Sequence, residues 1–85
     1  MRLVFTSHGW EDYTYWLQAD RVMLRRINRL IEDALRDPTT GIGKPEPLRH
    51  VLAGAWSRRI SEEHRLVYLV EDSDLIILQA RFHYR

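Results

Sequence analysis

Three separated stretches of this chain carry side chains that could together break a phosphodiester bond. The run Gly43–Leu48 contains Glu46, the run Trp56–Tyr68 contains several arginines, and His83 lies close to the end of the chain. A carboxylate can take the proton of a 2′-hydroxyl, a guanidinium can offset the charge on phosphorus, and an acid can protonate the leaving oxygen. These residue types favour RNA cleavage without a metal, provided that the fold brings the three stretches together.

The composition is that of one small folded domain over residues 1–85. A chain of 85 residues buries only about 60 to 65% of its unfolded surface, but its apolar content of 45% supports a thin core. The absence of cysteine excludes disulfides, a thiolate nucleophile and zinc–thiolate sites, which suits a reducing compartment. The stretch Met1–Trp10 has no apolar signal region, and no apolar run is long enough to span a membrane. We therefore expect a cytoplasmic protein with no membrane contact.

The basic residues are almost all arginine, although the formal net charge is only +1. Arginine binds phosphate through two parallel hydrogen bonds and stacks on bases, so this bias fits an RNA partner. A genome of high GC content would produce the same bias. Nearly balanced charge gives no strong long-range attraction to nucleic acid. Any affinity for RNA must therefore be local, or must come through a larger host that presents the RNA.

Hydrophobic periodicity predicts a short strand followed by two helices. The strand covers Arg2–Thr6, and Ser7 is the predicted cap of a helix over residues 8–17. Asp20 is the predicted cap of a longer helix that ends at Asp37, which precedes a proline. The predicted apolar stripes comprise Trp10, Tyr13 and Leu17 in the first helix and Met23, Leu24, Ile27, Leu30, Ile31, Ala34 and Leu35 in the second.

The outer face of the second helix is rich in arginine. Arg29 with Asp33, and Glu32 with Arg36, are spaced for ion pairs four residues apart. The face is either simply solvated or a surface that contacts ribosomal or messenger RNA. Its arginines are Arg21, Arg25, Arg26, Arg29 and Arg36.

The second half of the chain predicts an irregular segment and then three strands. Glycine and proline recur through Asp37–Ala55, with one helical turn expected near Leu48–Leu52. The predicted strands are Ala55–Ile60, Arg65–Val70 and Leu75–His83. They form an antiparallel meander that packs on the helical hairpin, and the first strand joins the same sheet. The predicted class is α+β.

Side-chain alternation in the strands limits where the chemistry can lie. In the last strand it predicts two faces, of which the first packs on the helices and the second is open. Arg59 and Arg65 could both reach the open face, and Glu46 must arrive from a loop that the flanking prolines stiffen. The predicted helix-facing set is Ile76, Leu78, Ala80 and Phe82, and the predicted open set is Ile77, Gln79, Arg81 and His83.

The chain resembles the YoeB (Txe) toxins of bacterial toxin–antitoxin systems, within the RelE-like messenger-RNA endonucleases. The resemblance covers nearly the whole chain, and its longest part is the run Trp56–Tyr68. The other matching residues are Trp10, Asp12, Tyr13 and Trp16, the run Gly43–Leu48, and Arg81, His83 and Tyr84.

The family resemblance implies a RelE-like fold and cleavage of translated mRNA in the decoding site of the 70S ribosome, which inhibits translation. It also implies neutralisation by a cognate antitoxin of the YefM type, operator DNA binding only through the antitoxin complex, and the ability to form homodimers. No cofactor or metal is implied.

Residue by residue, the resemblance implies that Glu46 is the general base, Arg65 stabilises the phosphate and His83 is the general acid. All three residue types are present. The implied reaction leaves a 2′,3′-cyclic phosphate and a 5′-hydroxyl. The implied substrate-binding residues are Arg59 and Tyr84, with Lys44 and Arg49 as candidates for contacts to the RNA backbone. Departures from the family pattern occur at Val51, Ala53, Ala55 and Phe82, and in the additional Arg85.

Two other functions stay open at this level. The protein could block translation as a ribosome or RNA ligand that does not cut, or it could be a degenerate toxin kept as an antitoxin partner and transcriptional co-regulator. Neither role requires an acid and a base together, so Glu46 and His83 favour the catalytic one. The cluster Glu62–His64, with His50, invites a metal interpretation but lacks recognisable ligand spacing.

Overall fold

Two helices pack on one face of a single sheet in this computed structural model, which describes residues 1–50 and 52–83. The sheet order is β1-β5-β4-β3-β2. No helix in these two ranges is long and apolar enough to cross a membrane. The elements are β1 Arg2–Phe5, α1 Ser7–Ala19, α2 Arg21–Arg36, β2 Glu46–Pro47, β3 Ala55–Arg59, β4 Arg65–Glu71 and β5 Asp74–Gln79.

The two helices begin at side-chain caps. Asp20 caps α2 as predicted, since its carboxylate accepts the backbone N–H groups of Val22 and Met23. The prediction for α1 was wrong by one residue: Thr6 is the cap, and its Oγ1 accepts the Gly9 N–H at 3.0 Å. α2 ends at Arg36, as predicted from Asp37 and the proline that follows it.

The apolar stripe predicted for α2 is confirmed, but the stripe predicted for α1 is right only for Tyr13, which packs against the core. Trp10 and Leu17 are 52% and 40% exposed, whereas α1 buries Gly9, Asp12 and Trp16. This helix has apolar residues on two faces, so periodicity alone did not identify the one that meets the sheet. In α2 the buried residues are Met23, Leu24, Ile27, Leu30, Ile31 and Ala34, and Leu35 packs at their margin.

Gly9 brings α1 into close contact with β5. A Cβ at position 9 would collide with the backbone carbonyl of Ile77, which cannot move without disturbing the sheet. We expect Gly9→Ala to destabilise the fold by about 1 to 3 kcal/mol, even though alanine favours helix by about 1 kcal/mol. Denaturant unfolding would measure this, with the exposed Gln18→Ala in the same helix as control. A stability gain in Gly9→Ala would contradict the close approach.

The C-terminal meander of β3, β4 and β5 is confirmed, and so is the α+β class. The sheet is mixed rather than antiparallel throughout, because β1 runs parallel to β5, with Phe5 opposite Ile77. A fifth strand, β2, lies within the segment predicted to be irregular and pairs with the edge of β3. A two-residue strand is too short to have a readable period, and its proline is tolerated because the strand is at an edge.

The face assignment predicted for the last strand was wrong before the register shift and right after it, at Gln79 on the open face and Ala80 in the core with the helices. Leu75 and Ile77 are fully buried in the core with the helices, whereas Ile76 is half-buried. β5 also ends at Gln79, so Arg81, Phe82 and His83 do not continue its alternation. The pairing register shifts between Val67 and Tyr68, which lie opposite Gln79 and Ile77, so Leu78 has no cross-strand partner. Such a bulge reverses the facing of every residue beyond it.

Arg58 ties the segment between α2 and β2 to the sheet. Its side chain is fully buried and contacts Asp33 Oδ2 at 2.6 Å. Asp33 also pairs with Arg36, so the predicted pairs Arg29–Asp33 and Glu32–Arg36 are wrong within the described chain. The hydrogen bond from Arg58 leads the causes that lower the pKa of Asp33 to about 2.

Candidate active site

The pairing register places four polar side chains on the sheet face opposite the helices. In antiparallel sheets, directly paired residues point to the same face, as do residues two apart along a strand. Glu46 pairs with Ser57, and Arg59 pairs with Arg65. Ser57 and Arg59 are two apart on β3, so all four side chains share one face.

These four residues and Lys44 line one polar cleft with a volume of about 50 Å³. Three cations therefore surround a single carboxylate, an arrangement suited to an anionic phosphate held beside a base. Within residues 1–50 and 52–83, the side chains of Lys44, Glu46 and Arg59 make no hydrogen bond or ion pair, so they are available to a ligand. The structure thus brings together Lys44, Glu46, Arg59 and Arg65, and adds Ser57, which the sequence did not single out.

Glu46 is held by backbone pairing rather than by a stiff loop. On one side of β2 the Arg59 N–H donates to the Gly43 carbonyl at 2.7 Å, and on the other the Leu48 N–H donates to the Ala55 carbonyl at 2.9 Å. The backbone of the short strand is therefore fixed at both ends. The single turn expected near Leu48–Leu52 is present as a hydrogen bond from the Leu52 N–H to the Leu48 carbonyl.

The Arg65 guanidinium is anchored by the turn before β4. Its Nη1 donates to the carbonyls of Ser61 at 2.6 Å, Glu62 at 3.1 Å and His64 at 3.1 Å. No carboxylate pairs with it in the described part of the chain. Backbone carbonyls hold the group in place without neutralising its charge, which is what stabilising a phosphate requires.

His83 does not line this cleft. Its side chain is exposed, and its carbonyl accepts the Gln79 Nε2 hydrogen bond at 2.6 Å. Gln79 pairs with Val67, two residues after Arg65, on the same face as the cleft. Arg49 is exposed in the turn after β2, outside the cleft. The prediction for Tyr84 lies outside the described residues.

The segment that leads to His83 is held by side chains from α1 and β5. The Asp12 carboxylate accepts the Ala80 N–H at 3.1 Å, and Trp16 Nε1 donates to the Ala80 carbonyl at 2.9 Å. Gln79 Nε2 also donates to the Arg81 carbonyl at 2.9 Å. Sequence reasoning missed these roles, because the partners of Asp12 and Trp16 lie more than 60 residues away along the chain and no local pattern indicates them.

A second cleft of about 140 Å³ adjoins the polar cleft and shares Arg59 with it. Its floor is apolar, and Arg26 and Arg29 of α2 lie on its rim. Neither arginine forms an ion pair or hydrogen bond with any residue that the structure describes. The complete lining is Arg26, Arg29, Leu30, Ile42, Gly43, Arg59 and Ile60.

Metal ligands are not grouped in the described ranges: no three His, Cys, Asp or Glu side chains there could share an ion. His64, which the sequence connected with a metal, instead accepts the Phe82 N–H through Nδ1 at 2.7 Å.

Comparison with known proteins gives one consistent result. Residues 5–84 match the model of the YoeB-like toxin of bacterial type II toxin–antitoxin systems. Toxin YoeB of Streptomyces coelicolor is 61% identical, with 99% of this chain and 100% of that protein covered.

Solved structures agree. A YoeB/ParE toxin from Agrobacterium tumefaciens is 51% identical, with a TM-score of 0.95 over 99% of this chain and 100% of that one. A YoeB dimer and a YoeB–YefM complex from Staphylococcus aureus are 42% and 41% identical, with TM-scores of 0.90 and 0.88 over 99% of this chain and 98% of each of theirs. The chain therefore belongs to the family of YoeB-like toxins of bacterial type II toxin–antitoxin systems.

Proposed function

We propose that this toxin is a metal-independent endoribonuclease that cleaves translated mRNA in the decoding site of the ribosome and so inhibits translation. The observation that carries the proposal is the shared cleft of Glu46, Arg59 and Arg65, in which one base lies among cations on a rigid sheet face. A non-cleaving ligand of the ribosome would need the cations but not the carboxylate.

The proposed reaction is an internal displacement at phosphorus. Glu46 takes the 2′-hydroxyl proton, the 2′-oxygen bonds to the adjacent phosphorus, and the bond to the 5′-oxygen breaks. Arg65 and Arg59 offset the charge that builds on the phosphate oxygens. His83 gives its proton to the departing 5′-oxygen. The products are a 2′,3′-cyclic phosphate and a 5′-hydroxyl, and no metal takes part.

Access to RNA through the ribosome is consistent with the charge distribution. Only five of the thirteen basic residues line the two clefts, and the formal net charge is only +1. Long-range attraction to free RNA is therefore weak. A ribosome would supply the mRNA in a fixed position, and positioning of this kind accounts for a large part of many enzymatic accelerations.

Mapping of RNA 5′ ends tests the proposal. Purified toxin is added to a translation system, and to the same mRNA without ribosomes. We expect new 5′-hydroxyl ends within translated codons in the first reaction and few or none in the second. Arrest of translation without new ends would support the non-cleaving ligand. A protein that neither cuts nor arrests translation but still binds its antitoxin would support the degenerate toxin.

We also propose that the chain is neutralised by a YefM-like antitoxin and can form homodimers. The support is the YoeB–YefM complex and the YoeB dimer of the related Staphylococcus aureus protein. Operator DNA would then be bound only through the antitoxin complex. Co-purification with the antitoxin and sedimentation of the free toxin test the two assemblies.

The rim of the second cleft should contribute to RNA binding. Arg26 and Arg29 lie beside Arg59 and have no competing partner among the described residues, so they can contact phosphates that flank the cut. We expect the double variant Arg26→Gln and Arg29→Gln to bind single-stranded RNA more weakly, with a salt dependence reduced in slope by about 1.4, or 0.7 for each lost contact. Binding is measured in catalytically inactive Glu46→Gln protein.

The matched control changes two arginines of the same helix that do not line the cleft, Arg21→Gln and Arg25→Gln. An equal change of slope in both double variants would mean that the helix acts only through its overall charge, and would remove the cleft from the binding site.

A further inference from the structure

The chain after β5 leaves the sheet, and its backbone is bound at Phe82 by two neighbouring residues of β4 and its preceding turn. The Phe82 N–H donates to His64 Nδ1 at 2.7 Å, and the Phe82 carbonyl accepts the Arg65 N–H at 2.9 Å. Phe82 has a φ of +62°, a left-handed conformation that costs a non-glycine residue energy unless its surroundings enforce it. The two hydrogen bonds hold Phe82 in this left-handed conformation.

The hydrogen bond between Arg65 and Phe82 connects the polar cleft with the segment that carries His83. Arg65 contributes its guanidinium to the cleft and its backbone N–H to Phe82, and Phe82 directly precedes His83. Gln79 fixes the other side of the segment by donating to the His83 carbonyl. The position of His83 relative to Arg65 therefore depends on how firmly Phe82 is held.

We propose that His64 is a positioning residue for His83: by accepting the Phe82 N–H, its Nδ1 holds the C-terminal segment against the start of β4. The inference rests on the proposed function, in which His83 is the general acid. His64 itself need not touch the RNA. Its ring packs edge-on against Trp16, with ring centroids 4.9 Å apart, so its orientation is fixed from the side of α1 as well.

Only neutral His64 with its proton on Nε2 can accept this hydrogen bond, because the protonated ring carries N–H groups at both nitrogens. Burial lowers the pKa of His64, Glu63 opposes this, and the positive charges of Arg81, His83 and Arg65 lower the pKa further. The neutral form therefore predominates at neutral pH. The hydrogen bond should be complete above pH 6.5 and be lost as the pH falls through the lower pKa of the folded protein.

Two substitutions separate the hydrogen bond from the packing of the ring. His64→Leu introduces an apolar side chain of similar volume that has no acceptor for the Phe82 N–H. His64→Asn is smaller, but its Oδ1 lies at the position of Nδ1 and does not titrate. If His64 serves only as a packing residue, the asparagine variant is the more damaging one. If His64 positions His83, the leucine variant is the more damaging one.

We expect His64→Leu to cut mRNA about tenfold to a hundredfold more slowly in single-turnover reactions, because small displacements of a catalytic group have costs of this size. His64→Asn should keep most of the rate. As the pH is lowered from neutral through the pKa of His64, the rate of His64→Asn relative to wild type should rise, because only the wild type loses its acceptor. Groups that do not interact with His64 titrate alike in both proteins and cancel in this ratio. His83 does interact with His64, so the ratio is interpreted together with the exchange at Phe82.

Hydrogen exchange at the Phe82 amide provides a readout that does not depend on cleavage. We expect its protection factor to fall about threefold to tenfold in His64→Leu and to be retained in His64→Asn. Wild-type protection should fall as the pH is lowered through the pKa of His64, which burial holds below its usual value, and His83→Gln should leave the protection at neutral pH unchanged. If His64→Leu does not fold, the protection of the Phe82 amide in His64→Asn and its pH dependence in the wild type still test the positioning role.

Unchanged Phe82 protection in His64→Leu, or a slower rate in His64→Asn than in His64→Leu, would overturn the positioning role. If the wild type cuts no RNA at all, the proposed function fails. The exchange at Phe82 then still decides whether His64 holds the segment.

Discussion

Replacing Glu46 or His83 by glutamine is expected to slow mRNA cleavage by about 10²-fold to 10⁴-fold, the usual cost of removing a positioned acid or base. Glutamine keeps the size and polarity of the Glu46 side chain but cannot take a proton. The fold should be unaffected, because Glu46 is exposed and its side chain has no partner in the described ranges. The melting temperature should therefore stay near the wild-type value while cleavage is lost.

The matched controls are chemically identical substitutions outside the cleft. Glu62→Gln and His50→Gln change exposed residues of turns that do not line it. Mapped 5′ ends and single-turnover rates should match those of the wild type in both. If Glu62→Gln slowed cleavage as much as Glu46→Gln, the assignment of the base to the cleft would be wrong.

Replacing Arg58 by methionine is expected to give the largest loss of stability, about 3 to 5 kcal/mol, as is typical when one member of a buried charged network is removed. Arg58 is buried and donates to Asp33, to the Tyr68 hydroxyl and to three backbone carbonyls. Methionine fills similar space but removes one donor from each of these acceptors, and among the described residues Asp33 keeps only the Ile42 N–H and Arg36. The three carbonyls are those of Asp37, Thr40 and Ile42.

A loss of this size is a large fraction of the 5 to 15 kcal/mol by which most domains are stable. Each kcal/mol corresponds to a fall of about 4 to 8 °C in melting temperature for a domain of this size. Arg59→Met is the control, since it changes the next residue, which is exposed and belongs to the cleft. It should impair cleavage and leave stability within about 0.5 kcal/mol.

The same network predicts how stability depends on acid. The pKa of Asp33 in the folded protein is about 2, below its usual value of 3.8, chiefly because of the hydrogen bond from Arg58. The carboxylate therefore contributes stability that is complete above pH 3.8 and is lost as the pH falls through 2. In Arg58→Met this part of the acid dependence should shrink. An equally steep loss in wild type and variant would contradict the role of the pair.

Arg58 also shows what sequence reasoning could and could not reach. The sequence predicted that the neighbouring Arg59 could reach the open face, which agrees with the burial of Arg58 on the other side of β3. Nothing local indicated that its guanidinium would enter the core, because its partners come from α2, from the segment after α2 and from β4. A buried charge is tolerated only when such distant groups converge on it.

The residue types proposed for catalysis could be read directly from the chain, and so could the α2 stripe and its Asp20 cap. Helical period and capping depend on neighbours within about four residues, so local sequence suffices to predict them. Family membership was also recognisable, because long runs of residues matched. The prediction for α1 was weaker because its apolar residues are spread over two faces of the helix. Only contact with β5 determines which of these faces is buried.

Tertiary structure alone decided which of those residues meet. The pairing of Glu46 with Ser57 and of Arg59 with Arg65 is a register between separate strands, and a shift of one residue would turn either side chain to the other face. The bulge at Leu78 and the end of β5 at Gln79 likewise set the path of the segment that carries His83. By itself, the sequence determined the local elements and the chemical groups of this toxin. Only the packing of distant segments, through register and backbone hydrogen bonds, decided that Glu46, Arg59 and Arg65 share a cleft and that His64 and Gln79 hold the segment ending in His83.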